Sequence, residues 1–472
     1  MMTTPASWAS RQRTMCPCPV YPRPSKTRTP GWKFFLKTRR SWLDMLYERS
    51  YEMKMGHVRL PGLEVFVVNE PATVRRVLVD EHEQFPKHAL VHRMLQPLLG
   101  DSIFTTNGAV WKRQRQLLDP AFESTRLKTL FPLMLEASGN MVARLSNAGD
   151  GELINVEAEM THVTADIIFR TILSMSLQED EARQIYHAFS RFQATALQLS
   201  VNQIFMLPPW LSHPVAAWQN REAARDIRQF IDRAVRGRIA KRVSRAAASR
   251  DLLDAMLESR LPETGDRYTE GELVDQVCML FLAGHETSAS ALSWALYLLA
   301  LFPDVQTRAR EEVRAIVGDR APAQEDIGRF ELIRNVFRET LRLYPPVGFF
   351  ARESACPTTL RDKAVPQGAA VVISPWLIHR HRKLWQAPDD FNPDRFGTEE
   401  TRASLKQAYL PFGLGPRICI GAGFALQEAT LILAELLRHF RFEYLPEHEP
   451  QPVGRLTIRS ENGIWLRLSR CA

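Results

Sequence analysis

The chain has few cysteines for its length, six in 472 residues, at positions 16, 18, 278, 356, 419 and 471. Spaced so irregularly, they do not make a disulfide framework, and no secretory apolar region precedes them. A reducing compartment and a cytoplasmic location are therefore expected. Cys16-Pro17-Cys18 lacks the second Cys or His pair that a metal site needs. Long apolar runs are also missing. The most lipid-like stretch, Val277 to Phe302, contains His285, Glu286 and several serines. These would be costly in hydrocarbon, so a buried protein helix is expected there and no transmembrane anchor. There is no internal repeat, zinc-finger spacing or helix-turn-helix pattern. The net charge of +8 (61 basic against 53 acidic residues) is thus read as solubility or protein docking, not nucleic-acid binding. Regular β-α alternation is absent. Gly421-Ala-Gly423 is no dinucleotide fingerprint, because no strand precedes it and no third glycine follows in place.

What is present is a core-forming composition, 45% hydrophobic and 24% charged. Residues 1–45 are basic, carry six prolines and lack periodicity, so they read as a flexible extension. Residues 46–472 read as one domain, mainly α with small β-sheets. Two strands are expected between Tyr51 and Val68, turning at Pro61-Gly62. Helices are expected over 73–79, 108–119, 126–145, 156–173, 216–243, 251–258 and 423–440, with a strand at 369–374. Asn462-Gly463 predicts a hairpin over 456–468. Thr269 and Glu272 have capping-box spacing, and nothing breaks the helix they open until Pro303. A helix of that length, apolar on most sides, must run through the middle of the protein.

The chemistry concentrates in Phe412-Gly-Leu-Gly415-Pro-Arg417-Ile-Cys419-Ile-Gly421. A lone cysteine is most often a buried structural residue. Here it stands just before a helix, whose N-terminal dipole and free N–H groups favour a thiolate. The glycines permit close approach of backbone to the sulfur and to a flat macrocycle. Arg417 offers a guanidinium to a carboxylate. A thiolate so placed can ligate haem iron and favour O–O cleavage. On the central helix, Glu286 is expensive without a partner or a proton to handle. An acid followed by the hydroxyl of Thr287 can relay protons through water. Thr287 could equally return its hydroxyl to its own helix. Gly284 removes a side chain where the helix could widen to admit O₂. His285 is given no catalytic role. Glu339 and Arg342, three apart, share a helix face and can pair.

The segment around Cys419 resembles the haem-binding loop of the cytochrome P450 family, F-x-x-G-x-R-x-C-x-G. Glu339-Thr-Leu-Arg342 resembles that family's E-x-x-R helix. Phe391-Asn-Pro-Asp-Arg395-Phe resembles the segment whose arginine completes a Glu-Arg-Arg triad, and Ala283-Gly-His-Glu-Thr287-Ser resembles the oxygen-activation motif. Trp111 and Arg115 match W-x-x-x-R. The resemblance covers roughly residues 45–472, in the family's order. It implies haem b held by Cys419, with Phe412, Gly421 and Ala283 against it. Arg417, Arg352, Arg115, Trp111 and, more weakly, His92 would serve the propionates. Glu339, Arg342 and Arg395 would form a buried structural triad. Glu286 and Thr287 would be catalytic. Phe281, Val347, Phe349 and Phe350 would line the substrate pocket, together with the 85–104 loop and the 197–214 segment.

The implied activity is monooxygenation of an apolar organic substrate by O₂. The chain carries no flavin, nicotinamide or iron–sulfur module, so electrons are expected from a ferredoxin or flavodoxin with its reductase. Lys112, Arg113, Arg380, Arg382 and Lys383 are candidate docking residues. A haem-thiolate peroxygenase or isomerase, and a non-catalytic haem sensor, are the competing classes. The intact Glu286-Thr287 pair disfavours the first, and the absence of an output domain disfavours the second.

Overall fold

The computed structural model describes residues 18–27, 40–60, 62–177, 180, 184, 186–189, 191–192, 214–242 and 251–471. Its helices are α1 (Pro71–Arg75), α2 (Ala89–Leu99), α3 (Gly108–Leu118), α4 (Ser124–Ser146), α5 (Val156–Leu173), α6 (Pro214–Arg242) and α7 (Leu252–Glu258). They continue as α8 (Glu270–Leu301), α9 (Pro303–Val317), α10 (Glu331–Leu343), α11 (Pro375–Ile378), α12 (Glu399–Ala408) and α13 (Ala422–His439). The strands are β1 (Met55–Leu60), β2 (Leu63–Val68), β3 (Glu152–Asn155), β4 (Phe350–Glu353), β5 (Thr358–Leu360) and β6 (Lys363–Val365). After them come β7 (Ala370–Ile373), β8 (Phe440–Tyr444), β9 (Pro452–Gly454), β10 (Ile458–Ser460) and β11 (Trp465–Arg470). The architecture is the mainly helical one with small sheets that the sequence predicts.

Helix α8 organises the molecule. The Thr269 hydroxyl accepts from the Glu272 N–H (3.2 Å) while the Glu272 carboxylate accepts from the Thr269 N–H (2.9 Å), closing the predicted capping box. The helix runs 32 residues, about 48 Å. Pro303 ends it by opening α9. Nearly every residue from Leu273 to Ala300 is buried, mainly against α5, α6, α10 and β8. Apart from Asp275 near its start, that run is interrupted by Ala283, Gly284 and Thr287, which share one face of a single turn.

β1 and β2 pair antiparallel up to Leu60 opposite Leu63, as a hairpin there requires, and extend into a sheet of order β1-β2-β7-β4 with β2 and β7 parallel. The predicted hairpin around Asn462-Gly463 is not formed. The turn is real, with Gly463 at φ 75°, but its two arms belong to different sheets. β10 pairs with β9, and β11 pairs with β3 and β8. The segment expected as a loop over 85–104 contains α2, capped by His88 and interrupted by Pro97, which masks its pattern.

Part of the expected flexible extension is docked. Tyr344 donates its hydroxyl to the Val20 carbonyl, Val20 N–H donates to the Tyr297 hydroxyl (3.3 Å), and Tyr21 donates to Asp389 (3.1 Å). Among the described residues no single helix is long and apolar enough to cross a membrane.

Candidate functional site

Two left-handed glycines, one on each side of Leu414, shape the loop before α13. Gly413 and Gly415 have φ of 77° and 75°, and a Cβ at Gly415 would come within 2.2 Å of the Leu78 carbonyl oxygen. The loop then closes on itself, because Cys419 N–H donates to the Phe412 carbonyl (2.9 Å). Gly421 is the residue before the first turn of α13. Burial pushes the Cys419 thiol up, while the Gly421 N–H and the nearby Arg115 oppose that shift. Room for the sulfur is not what requires glycine at 421, since an added Cβ would stand 4.0 Å from Sγ. Leu414 and Ile418 beside it remain about two-fifths exposed, an apolar rim on either side of Arg417.

Four cations converge near this loop. Arg115 donates to the Ile418 carbonyl (2.8 Å) and to Asp119 (2.6 Å). Arg417 donates to the His82 carbonyl (2.7 Å), and its guanidinium lies 5.3 Å from the Trp111 ring centroid. Arg352 projects from β4, and its Nε and that of Arg417 are buried without a hydrogen-bond partner. The fourth cation is Lys87, which no motif reading reveals. Its ammonium donates to the carbonyls of Ile103 and Thr106 (2.6 Å each) and lies 5.8 Å from the Trp111 ring. Burial, with Arg417, Arg352 and Arg115 adding repulsion, pulls Lys87 down to about 6. Burial and Arg417 pull Arg352 down to about 10. Such a cluster is unfavourable by itself and asks for an anion, ideally a carboxylate pair. His92 is not brought into it. Its ring faces the Asp101 carboxylate at the surface (3.2 Å).

Behind the loop, Glu339 accepts from Arg342 through two 2.8 Å bonds and from Arg395 through a third of 2.8 Å. All three side chains are almost fully buried. Arg342 also donates to the carbonyls of His379, Pro388 and Asp390, and Arg395 to those of Gln386 and Ala387. The triad thus ties α10 to the long loop that leads toward Cys419. This pairing is a buried brace, the alternative to a solvated surface bridge.

On α8 the Thr287 hydroxyl donates to the Ala283 carbonyl (2.8 Å). Glu286 accepts from Thr457 (2.6 Å) and from Arg459 of β10 (2.9 Å). His285 bonds the Phe281 carbonyl through Nδ1 (2.7 Å). Gly284 has a packing reason, since a Cβ there would strike Ile168 of α5 at 2.4 Å. The expectation that it widens the helix for O₂ gives way to close helix contact. Sequence reading also missed Glu428 on α13. Burial pushes its carboxyl up to about 8, with the Ser288 hydroxyl opposing.

The expected pocket residues divide. Val347 and Phe349 are each 38% exposed, unusual for large apolar side chains. Phe281 is buried between Phe169 (4.6 Å) and Phe189 (5.6 Å), so it packs the core and is not open to a pocket. Phe350 lies in the sheet beneath the Arg352 guanidinium. The 197–214 segment lies outside the described residues, apart from the first residue of α6.

The docking expectation needs one correction. Arg380 is 1% exposed, stacked 3.9 Å over Trp376. Arg113 pairs with Glu272 (2.5 Å), while Lys112, Lys383 and Arg382, the last paired with Glu52 (3.1 Å), are exposed.

Comparison with known proteins agrees with this arrangement. The sequence profile of the family described as Cytochrome P450 matches residues 35–465. Cyclooctatin synthase of Streptomyces melanosporofaciens is 32% identical over 405 residues, covering 85% of each chain. Human cytochrome P450 4F12 is 30% identical over 449 residues, covering 89% of this chain and 83% of the relative. The crystal structure of the cytochrome P450DA heme domain superposes with a TM-score of 0.82 at 25% identity, over 96% of this chain and 99% of that one. With its profile match spanning most of the sequence and its fold shared end to end, the chain belongs to the cytochrome P450 family, whose members are haem-dependent monooxygenases.

Proposed function

We propose that this chain holds haem b through the thiolate of Cys419 and inserts one oxygen atom of O₂ into an apolar organic substrate. One observation carries the reading: a cysteine at the head of α13 beside four cations that lack a sufficient counter-charge. Two propionates would satisfy Lys87, Arg115, Arg352 and Arg417, and would supply partners to the buried Nε atoms of Arg352 and Arg417. Leu414 and Ile418 would lie against the macrocycle, as would Ala283 and Thr287 from α8. Bound haem supplies the oxygen-activating chemistry, and thiolate ligation favours O–O cleavage.

The protein's own part is to hold the group, exclude water and move protons. Trp111 braces Arg417 and Lys87 through its ring face. Thr287 on the open face of α8 and the buried Glu286 beside it move protons to the site. Val347 and Phe349 present apolar surface to the substrate. Electrons come from a separate ferredoxin or flavodoxin with its reductase. Purified protein with NADPH alone is expected to be inactive, and turnover should appear when such a pair is added.

The deciding experiment is the absorption spectrum of the reduced protein with CO. The red-shifted band of thiolate-bound haem should be present in the wild type and in Cys278→Ser and Cys356→Ser, and lost in Cys419→Ser. A normal thiolate band in Cys419→Ser would end the reading. A panel of apolar compounds, scored by displacement of the haem absorption band, then identifies the substrate class.

A further inference from the structure

Arg459 stands between two carboxylates. Its Nε donates to Glu286 on α8 (2.9 Å), and its Nη1 donates to Glu157 in the first turn of α5 (3.0 Å) and to the Thr161 hydroxyl (3.3 Å). The position of the guanidinium is fixed from behind. Ser290 and Trp294 of α8 both donate to the carbonyl of Ile458, the residue before it (2.6 and 3.1 Å). Thr457, two residues back, donates to the same Glu286 oxygen that Arg459 reaches. The two acids differ in access. The Glu286 side chain is 9% exposed and that of Glu157 is 13% exposed, so Glu157 lies on the solvent side.

Charge arithmetic then constrains the network. The groups facing one another are Glu157 from α5, Glu286 and His285 from α8, and Arg459 from β10, with hydroxyls from Thr161 and Thr457. Burial holds His285 below its usual range, so it adds no positive charge near neutral pH. With both carboxylates ionised, one guanidinium leaves a net charge of −1 in a poorly solvated place, which is costly. One bound proton makes the network neutral.

We infer that Glu157 carries this proton at rest and passes it to Glu286 when Glu286 is to deliver a proton toward Thr287, after which Glu157 takes a new proton from solvent. Glu157, Arg459 and Glu286 form a two-carboxylate proton store whose outer member refills from solvent. In the transfer an O–H bond breaks at Glu157 and one forms at Glu286, and no electrons leave or enter. The network is neutral before and after, because Arg459 faces an ionised carboxylate on either side. That equality keeps the transfer cheap. The electrostatics agree on where the proton rests. Burial pushes the Glu157 carboxyl up in spite of Arg459. At Glu286 burial acts in the same direction, but Arg459 and the Thr457 hydroxyl oppose it and the carboxyl is held low.

The inference rests on the reading that Glu286 donates protons at the Thr287 turn, and the experiment separates the two. Infrared difference spectra of the full-length, haem-loaded protein in H₂O and D₂O should contain a deuterium-sensitive carboxylic-acid band. Glu157→Gln and Glu286→Gln should each lose it, because a single carboxylate then balances Arg459. Glu157→Asp, which retains an acid should Gln disturb folding, should shift it, while Glu286→Asp leaves it nearly in place. No such band in the wild type, or one that survives Glu157→Gln, overturns the assignment. The second readout is peroxide released per NADPH with an added ferredoxin and reductase. Glu157→Gln should raise it severalfold, more so at higher pH, with Glu157→Asp close to wild type. If Glu286→Gln raises peroxide and Glu157→Gln does not, the store is refuted while the Glu286 relay stands. If neither variant changes it, both fail.

Discussion

Arg115 donates through Nη1 to the carbonyl oxygen of Ile418, 2.8 Å away, and so ties α3 to the residue immediately before Cys419. The same guanidinium is held by Asp119 one turn along its own helix. Arg115 therefore joins the cation cluster to the cysteine loop, and its loss should affect both. Arg115→Leu is expected to fold but to release haem faster, with Arg115→Lys intermediate, because an ammonium cannot keep both contacts in the planar fork geometry. Haem transfer to excess apomyoglobin measures this. An unchanged transfer rate would show that Arg115 does not contribute to holding the group.

Lys87 gives a prediction with opposite signs in two states of the protein. Its ammonium is held far below the ordinary lysine range, at about 6, by burial among arginines. A base whose folded pKa is depressed binds fewer protons folded than unfolded between that value and its ordinary one. Haem-free protein should therefore gain stability as pH rises from about 6 to about 10.5, the penalty being full below 6. Lys87→Met removes the penalty, so the haem-free variant should be more stable than wild type at neutral pH. The haem-loaded variant should be less stable, having lost a propionate partner. Thermal unfolding of both forms checks it. Destabilisation of both would mean that Lys87 serves packing alone.

Glu339 is the only acid bonded to two buried guanidinium groups, Arg342 and Arg395, among the described residues. Removing it leaves two cations in the core, a defect of about 3–5 kcal/mol. Glu339→Ala should accumulate as haem-free or aggregated protein. A soluble variant with full haem content would reduce the triad to an ordinary ion pair.

Much of this was legible in the sequence, for a physical reason. The capping box at Thr269, the stop at Pro303 and the Glu339–Arg342 pair are local, set by residues three or four apart or by a missing N–H. The failures are nonlocal. Asn462-Gly463 does encode a turn, but which strands its arms join depends on β3, β8 and β9, from distant parts of the chain. Arg380 reads as a surface cation beside Arg382 and Lys383, yet Trp376, Tyr21 and Tyr344 cover it. Lys87, Glu157, Glu428 and Arg459 acquire meaning only through partners far away in sequence, so no spacing rule marks them. Gly284 has a packing reason that no local pattern shows. Its neighbour Ile168 lies on another helix.

Glu428 is a buried acid whose carboxyl burial pushes up to about 8. An acid with a raised folded pKa holds its proton folded while the unfolded chain releases it. Stability is therefore lost as pH climbs from about 4.5 toward 8 and levels off above. Glu428→Gln, nearly the same shape as the protonated acid, should flatten that decline and raise stability near pH 8. Denaturant unfolding across this range tests it. Parallel profiles for variant and wild type would place the titration elsewhere.

Thr287 is the residue where structure and chemistry compete. Its hydroxyl proton is committed to the Ala283 carbonyl at 2.8 Å, the ordinary bond of a threonine in a helix. A role limited to that bond predicts that Thr287→Ala changes stability by about 1 kcal/mol or less and nothing else. Yet Ala283, Gly284 and Thr287 are the partly exposed residues on an otherwise buried stretch of α8, and the neighbouring Glu286 is held by Arg459 and Thr457. With its proton directed to Ala283, the Thr287 oxygen can still accept from an incoming donor, which suits a group that positions a proton source. Thr287→Ala should therefore leave the fold and the haem spectrum nearly unchanged. NADPH consumption should continue while product per NADPH falls and peroxide rises. Measuring product, peroxide and NADPH in one reaction decides between the two roles. Unchanged coupling would confine Thr287 to its helix bond and leave haem ligation by Cys419 untouched.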